Sequence, residues 1–229
     1  MLDPARAPSH VAIPVGSVQV RGDVTHVDDP RGLVIFVHGS GSSRLSARNR
    51  HVAQILNRGR FETLLADLLT AQEDAVDART GALRFDIPML SARTVAMVDW
   101  ARSFGLPIGL FGASTGAAAA IRAATERPDD VGAVVSRGGR VDLAGPAIEA
   151  LRAPLLMIVG SRDAPVIEIQ REIAPRLRCE YREAVVPHAT HLFEEPGTLD
   201  VVAALATEWF EEHLIPRARA AGRRPQSET

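Results

Sequence analysis

The chain has 229 residues and a formal net charge of −2, with 46% hydrophobic and 24% charged residues. This balance is typical of a folded protein with one sizeable core, and it predicts neither a nucleic-acid partner nor a membrane-surface partner. All 26 basic residues are arginine, which excludes lysine-dependent phosphate loops and Schiff-base catalysis. The single cysteine, Cys179, excludes an internal disulfide and a thiolate metal cluster within the chain.

No apolar run approaches the roughly 20 residues needed to span a bilayer. The first ten residues lack the apolar stretch of a signal peptide. We therefore expect a cytoplasmic protein that does not bind membranes, acts as a monomer or homodimer, and uses neither a metal nor a cofactor.

The first predicted elements combine an edge hairpin with buried strands. Alternating residues on either side of Gly16 indicate antiparallel strands with one wet face. The continuous apolar run at 33–37 is typical of a parallel strand buried on both faces. The predicted elements in this part are strands over 10–14, 18–24, 33–37 and 61–66, and a helix over 51–58. The acidic, polar segment 67–85 is predicted as a long loop of a kind that is usually functional or mobile.

Beyond residue 86, strands and helices alternate regularly. The predicted helices cover 87–103, 115–125, 146–151, 166–174 and 198–214, and the predicted strands cover 108–111, 131–135, 155–159 and 181–186. This alternation predicts an α/β fold, with a mostly parallel, doubly wound sheet flanked by helices in one domain over 1–215. The tail 216–229 has no apolar periodicity and is predicted to be disordered.

The turn between the strand at 108–111 and the following helix carries the clearest chemical motif. Gly112-Ala113-Ser114-Thr115-Gly116 has the G-x-S-x-G arrangement of a nucleophile elbow, in which a sharp strand-to-helix turn exposes one hydroxyl. The glycines permit the close approach of strand and helix. Ser114 is therefore the candidate nucleophile.

A serine nucleophile needs a base, and the base needs a carboxylate to orient it. In such a fold these residues follow later strands in the order Ser, Asp, His. Asp163 follows the strand at 155–159, and His191 follows the strand at 181–186. Asp142 is the alternative acid, although its sequence context favours a helix-entry cap. His188 is the alternative base, although it follows its strand too closely.

The candidate oxyanion donors are two backbone N–H groups. One belongs to Thr115, which directly follows the nucleophile. The other belongs to Ser40 or Gly41, in the small-residue loop after the strand at 33–37. His38 is expected to brace that loop. Six further residues are candidates for binding substrate, and the arginines among them suit an anionic one: Arg44, Arg79, Arg84, Arg137, Leu192 and Phe193.

With these motifs in order, the chain resembles the α/β-hydrolase superfamily, and its small size without a cap domain resembles the dienelactone hydrolase family. The resemblance implies a single domain with an open cleft, and a triad that hydrolyses esters or lactones without a cofactor. It gives Ser114, Asp163 and His191 the roles of nucleophile, acid and base. The name-giving enzymes use a cysteine nucleophile and carry an arginine soon after the histidine, whereas this chain has Ser114 and Leu192-Phe193-Glu194-Glu195.

The sequence therefore predicts a serine hydrolase that cleaves a small ester, thioester or lactone through an acyl-enzyme. Two alternatives stay open. One is a non-catalytic ligand-binding or regulatory protein on a hydrolase scaffold. The other is a cofactor-free perhydrolase or acyltransferase, which would use the same residues with a different acceptor.

Overall fold

An eight-stranded sheet forms the centre of the computed structural model, which describes residues 7–215. The strands are β1 Ser9–Val15, β2 Val18–Thr25, β3 Gly32–Val37, β4 Phe61–Ala66, β5 Ile108–Ala113, β6 Val131–Arg137, β7 Leu155–Gly160 and β8 Tyr181–Val186. Their order is β1-β2-β4-β3-β5-β6-β7-β8. The pairs β1–β2 and β2–β4 are antiparallel, and every other neighbouring pair is parallel. The predicted α/β sheet is thus confirmed, while the predicted tail lies outside the described residues.

Helices cover both faces of the sheet. They are α1 Ala47–Arg58, α2 Ala71–Thr80, α3 Ile87–Ala101, α4 Thr115–Glu126, α5 Ala147–Ala150, α6 Ala164–Ile173 and α7 Thr198–Leu214. Apolar residues of α1 and α7 pack on one face, and those of α3, α4 and α6 pack on the other. Because β3 to β7 are buried between these layers, their sequences are apolar on both faces.

The predicted loop at 67–85 is largely helical, and that prediction is wrong. It contains α2 and a short 3₁₀ turn at Leu83–Phe85. Thr70 and Glu73 form a capping box at the start of α2, and Gly81 ends it with a φ of 66°. Only one residue of α2, Asp77, is buried, so no apolar periodicity marked the helix in the sequence.

The segments that connect the strands within residues 7–215 are short helices and turns, and they include no large cap domain. None of the helices in this range is long and apolar enough to cross a bilayer. The carboxyl ends of β3, β5, β6, β7 and β8 lie along one edge of the sheet, where the loops that carry the candidate residues meet.

Candidate active site

The turn from β5 into α4 holds Ser114 in a strained conformation. Its φ and ψ are 50° and −122°, a combination that costs a non-glycine residue roughly 1–3 kcal/mol. Two backbone bonds maintain it, since the Ser114 N–H donates to the Arg137 carbonyl at 3.1 Å and the Arg140 N–H donates to the Ser114 carbonyl at 3.0 Å. The serine is therefore fixed where β5 and β6 end.

Glycine makes this turn sterically feasible. A Cβ on Gly116 would lie 2.1 Å from the Val37 carbonyl oxygen, and a Cβ on Gly112 would lie 2.5 Å from the Ala117 Cα. A Cβ on Gly39 would lie 2.9 Å from the Ser114 Cβ. The glycines of the motif thus allow α4 to pack against the end of β3, and Gly39 brings the β3–α1 loop against the nucleophile.

His191 and Asp163 are in direct contact. His191 Nδ1 and Asp163 Oδ2 are 2.6 Å apart, with the carboxylate nearly buried and the imidazole 40% exposed. Asp163 stands in the N-cap position of α6, but its side chain makes no capping bond. The carboxylate therefore orients the imidazole instead of stabilising the helix.

The imidazole lies beside the nucleophile turn. A Cβ on Gly138 would lie 3.4 Å from His191 Nδ1 and Cε1, and Gly138 directly follows Arg137, whose carbonyl binds the Ser114 N–H. Among residues 7–215, Ser114 Oγ makes no hydrogen bond, including to His191. Such bonds are often long in free enzymes and tighten when substrate binds.

The two alternative residues have other positions. The exposed His188 has a φ of 64°, and among residues 7–215 only its backbone N–H is held, by Ser161 Oγ at 2.8 Å. Asp142 binds Arg140 through both carboxylate oxygens at 2.7 and 2.9 Å. It lies within a 3₁₀ turn and caps no helix, so the predicted capping role of Asp142 is wrong.

The β3–α1 loop presents free backbone donors. Gly41 has a φ of 66°, and the Ser42 N–H donates to the Gly39 carbonyl at 3.2 Å, which closes a tight turn. Within the described range, no acceptor binds the N–H groups of Ser40 and Gly41. Thr115 is the first residue of α4, where backbone N–H groups have no partner in the helix.

His38 ties this loop to the segment after β4. The imidazole is buried, and burial lowers its pKa. Its Nδ1 lies 2.9 Å from the Gly39 carbonyl oxygen, and its Nε2 lies 3.0 Å from the Leu68 backbone nitrogen. Because the carbonyl only accepts and the N–H only donates, Nδ1 carries the proton and Nε2 accepts.

Three of the predicted substrate-binding arginines occupy different environments. Arg44 binds Asp67 at 2.8 Å and lines a cleft of about 740 Å³ between β2, the β3–α1 loop and α2. Arg84 binds Asp77 at 2.7 Å, and its Nη1 would lie 3.3 Å from a Cβ on Gly41. Arg79 is exposed on α2. Of these three side chains, that of Arg84 therefore lies beside Gly41 in the candidate oxyanion loop.

The remaining predicted substrate-binding residues differ in burial. Leu192 is exposed beside His191. Phe193 has a φ of 55°, and its ring lies in the core between the sheet and α7, so its predicted place in the pocket lining is wrong. Arg137 is buried at the end of β6, and its Nη1 has no hydrogen-bond partner in the described part of the chain. Burial and the nearby Arg48 lower the pKa of Arg137 to about 10.

Known proteins resemble this chain over most of its length. A dienelactone hydrolase from Anabaena variabilis is 47% identical, and the alignment covers 91% of this chain and 100% of that one with a TM-score of 0.88. The chain belongs to the dienelactone hydrolase family. Est1E from Butyrivibrio proteoclasticus shares the fold at 16% identity, with coverage of 89% and 98% and a TM-score of 0.73. No family model matches the chain.

Proteins from two strains of Mycobacterium tuberculosis, provisionally named phosphoribosyl transferases, are 48% identical over 216 residues. The match covers 93% of this chain but only 48% of those proteins, so the chain spans about half the length of these curated relatives. Their name therefore describes longer proteins, and this member of the dienelactone hydrolase family matches only one part of them.

Some contacts of this family member were not predicted from the sequence. Arg93 is nearly buried on α3 and binds Glu73 of α2 through two bonds of 2.6 and 2.7 Å. The Thr70-to-Glu73 spacing was the available signal for α2, since it matches a capping box.

An ion pair on α1 was also not predicted. Arg48 on α1 binds Glu194 at 3.1 Å, and no sequence pattern links residues so far apart along the chain.

Proposed function

We propose that this hydrolase is a serine hydrolase that cleaves a small ester, thioester or lactone through an acyl-enzyme. The observation that carries the proposal is the 2.6 Å contact of His191 with Asp163, made beside a strained serine turn. Because Asp163 occupies Nδ1 of the imidazole, Nε2 is the nitrogen left to act as the base for the serine. Nothing in this chemistry requires a metal or a cofactor.

In the proposed first step, His191 takes the proton of Ser114 as the hydroxyl attacks the acyl carbon. Asp163 stabilises the resulting imidazolium. The N–H groups of Thr115 and of Ser40 or Gly41 then hold the oxyanion of the tetrahedral intermediate. When the intermediate collapses, His191 donates its proton to the departing alcohol, thiol or lactone oxygen, and an ester forms on Ser114.

In the second step, His191 removes a proton from water, and the hydroxide attacks the acyl-enzyme. The acyl–oxygen bond to Ser114 breaks, and the serine regains its proton from the imidazolium. An ester or thioester gives one carboxylic acid and the alcohol or thiol released earlier, whereas a lactone gives a single hydroxy acid. A perhydrolase or acyltransferase would replace water with another nucleophile at this step.

The activity implied by the name of the mycobacterial relatives is not assigned to this chain. The reason is that the match covers only 48% of those proteins. A cytoplasmic location and a monomeric or homodimeric state also stay predictions.

Steady-state hydrolysis of p-nitrophenyl acetate tests the proposed roles. Ser114→Ala should lower kcat by about four orders of magnitude or more, since triad members act as a unit. Asp163→Asn should lower kcat by about 10³- to 10⁴-fold through loss of the imidazole orientation. Asp142→Asn is the matched control and should keep wild-type kcat.

Near-normal hydrolysis by Ser114→Ala would refute the assignment. Complete inactivity of the folded wild type toward a panel of esters, thioesters and lactones would favour the non-catalytic alternative. Added hydroxylamine or hydrogen peroxide distinguishes a hydrolase from a perhydrolase or acyltransferase. In their presence, a hydrolase should still form mainly the free acid.

A further inference from the structure

His191 lies in a tight turn between β8 and α7. The Phe193 N–H donates to the Thr190 carbonyl at 3.2 Å, so residues 190–193 form a β-turn with His191 as its second residue. The direction of a side chain at this position follows from the backbone of the turn. The orientation of the imidazole therefore depends on what fixes the two ends, Thr190 and Phe193.

The Phe193 end of the turn is fixed by the hydrophobic core. Its ring is only 1% exposed and belongs to the same core cluster as residues of α7. The ring cannot leave this position without exposing a large apolar surface to water. This end of the turn needs no further attachment.

The Thr190 end lies outside the core, and a carboxylate holds it. Thr190 is exposed, and its backbone N–H donates to Oε1 and Oε2 of Glu195, at 3.1 Å in each case. Hydrogen bonds from the Thr190 hydroxyl, the Glu195 N–H and the Thr190 N–H lower the pKa of the Glu195 carboxyl. Glu195 is thus an ionised acceptor at neutral pH, and bonds to ionised acceptors are stronger than those between neutral groups.

Glu195 is itself attached to α7. Its carbonyl accepts the Thr198 N–H at 3.1 Å and the Thr198 hydroxyl at 2.7 Å. Thr198 is the first residue of that 17-residue helix and is buried. Glu195 therefore links the histidine turn to a helix that is anchored in the core. The adjacent glutamate, Glu194, pairs instead with Arg48 of α1 at 3.1 Å.

The contact that this link would protect is the one between His191 Nδ1 and Asp163 Oδ2, at 2.6 Å. The imidazole is 40% exposed, so packing alone does not determine its orientation. Small displacements of a reacting group are costly, and about 1 Å can slow a reaction about 100-fold. The backbone of the turn must therefore be held accurately.

We propose that Glu195 is a positioning residue for His191. Its carboxylate holds the Thr190 end of the turn and thereby keeps the imidazole on Asp163. The inference rests on the proposed function for the role of His191 as the base. The positioning itself belongs to the folded chain and requires no reaction at Ser114.

Hydrolysis of p-nitrophenyl acetate tests the effect on the reaction. Glu195→Ala should lower kcat about 10-fold, as expected for the loss of one charge-assisted bond, and should change KM less than about two-fold. Glu195→Gln keeps a carbonyl oxygen that can accept the Thr190 N–H, and its kcat should stay within about three-fold of wild type. Glu194→Ala removes the adjacent carboxylate and is the matched control, with wild-type kcat.

An NMR measurement on the Ser114→Ala protein observes the histidine without any turnover. The proton on His191 Nδ1 that is donated to Asp163 should give a far-downfield resonance, assigned by its loss in His191→Ala. Glu195→Ala should make this proton exchange with water at least about 10-fold faster, because the contact opens more often. Glu195→Gln and Glu194→Ala should leave the exchange rate unchanged.

A double-mutant cycle tests whether Glu195 acts through Thr190. Thr190→Val removes the hydroxyl and keeps the N–H, so it should lower kcat less than Glu195→Ala does. In the Glu195→Ala background it should have no further effect, since both side chains take part in one contact. Fully additive effects of the two substitutions would contradict the proposed link.

The Tm separates positioning from a purely structural role. A lower Tm in Glu195→Ala, with wild-type kcat and unchanged exchange of the Nδ1 proton, would mean that Glu195 only stabilises the fold and would overturn the proposal. A kcat in Glu195→Gln as low as in Glu195→Ala would also contradict it. If the wild type hydrolyses no ester but the exchange still accelerates in Glu195→Ala, the proposed function fails while the positioning is confirmed.

Discussion

At the scale of single residues, His38 illustrates how a buried histidine can support catalysis without touching substrate. Its two ring nitrogens connect the Gly39 carbonyl to the Leu68 N–H, and burial keeps it neutral by lowering its pKa. The loop that it holds presents the free N–H groups of Ser40 and Gly41. His38 is thus a positioning residue for the proposed oxyanion hole.

His38→Ala should therefore lower kcat by about 10-fold, less than the loss of an oxyanion donor itself, and should leave KM nearly unchanged. Ester hydrolysis measured together with Tm checks this, since a general loss of structure would change both kinetic constants. His51→Ala is the control, because His51 pairs with Asp200 on the outer helices. Wild-type kcat in His38→Ala would contradict the positioning role.

At the scale of elements, α2 is attached to the protein mainly by polar contacts. Arg93 on α3 binds both carboxylate oxygens of Glu73, and these bonds lower the pKa of Glu73 to about 2. Asp77 meanwhile accepts bonds from the Leu83 and Arg84 N–H groups. Asp77 is the only buried residue of the helix. The bonds of Glu73 and Asp77 therefore hold α2 beside the β3–α1 loop.

The attachment of α2 should therefore depend on pH. The carboxyl of Glu73 has its ordinary pKa of 4.5 when α2 is detached and about 2 when it is bound. The stabilisation is complete above pH 4.5 and decreases as the pH falls toward 2. The protection of the 71–80 amides against hydrogen exchange, taken relative to the intrinsic exchange rate at each pH, should therefore decrease over this range in the wild type.

In Glu73→Gln, this protection should already be low at pH 7 and should depend less on pH below 4.5. Glu172→Gln removes an exposed carboxylate from α6 and should match the wild type. Equal protection of 71–80 in Glu73→Gln and wild type at pH 7 would show that other contacts hold the helix.

The elements also show what the sequence could predict. Buried parallel strands produce apolar runs, so β3 to β7 could be located to within a few residues. The helix α2 has no apolar face, so its hydrophobic pattern is that of a loop, and only its caps indicated it. The left-handed φ of Phe193 turns its ring into the core, and this depends on tertiary packing that no local pattern contains.

At the scale of the whole molecule, the parallel sheet brings together residues that lie far apart in the sequence. The end of β5 presents Ser114, the turn after β7 presents Asp163, and the loop after β8 places His191 on that carboxylate. A Cβ on Gly160 would lie 2.3 Å from the Ala189 carbonyl oxygen, so glycine permits the contact between the last two loops. The order of Ser114, Asp163 and His191 after successive strands could be anticipated from the motif, whereas this close approach could not.

The same global arrangement buries Arg137 and leaves its Nη1 without a hydrogen-bond partner among residues 7–215. Its residue type was a reasonable sequence candidate for an anion, but its burial and its proximity to Arg48 follow only from the tertiary packing around the end of β6.

The most direct test of the proposed triad is the rate at which a fluorophosphonate labels the protein, followed by mass mapping of the adduct. Wild type should carry one adduct on Ser114, and His188→Ala should be labelled at the wild-type rate. His191→Ala should be labelled at least about 100-fold more slowly, because the serine loses its base. An adduct elsewhere, or a loss of labelling in His188→Ala with none in His191→Ala, would contradict the account.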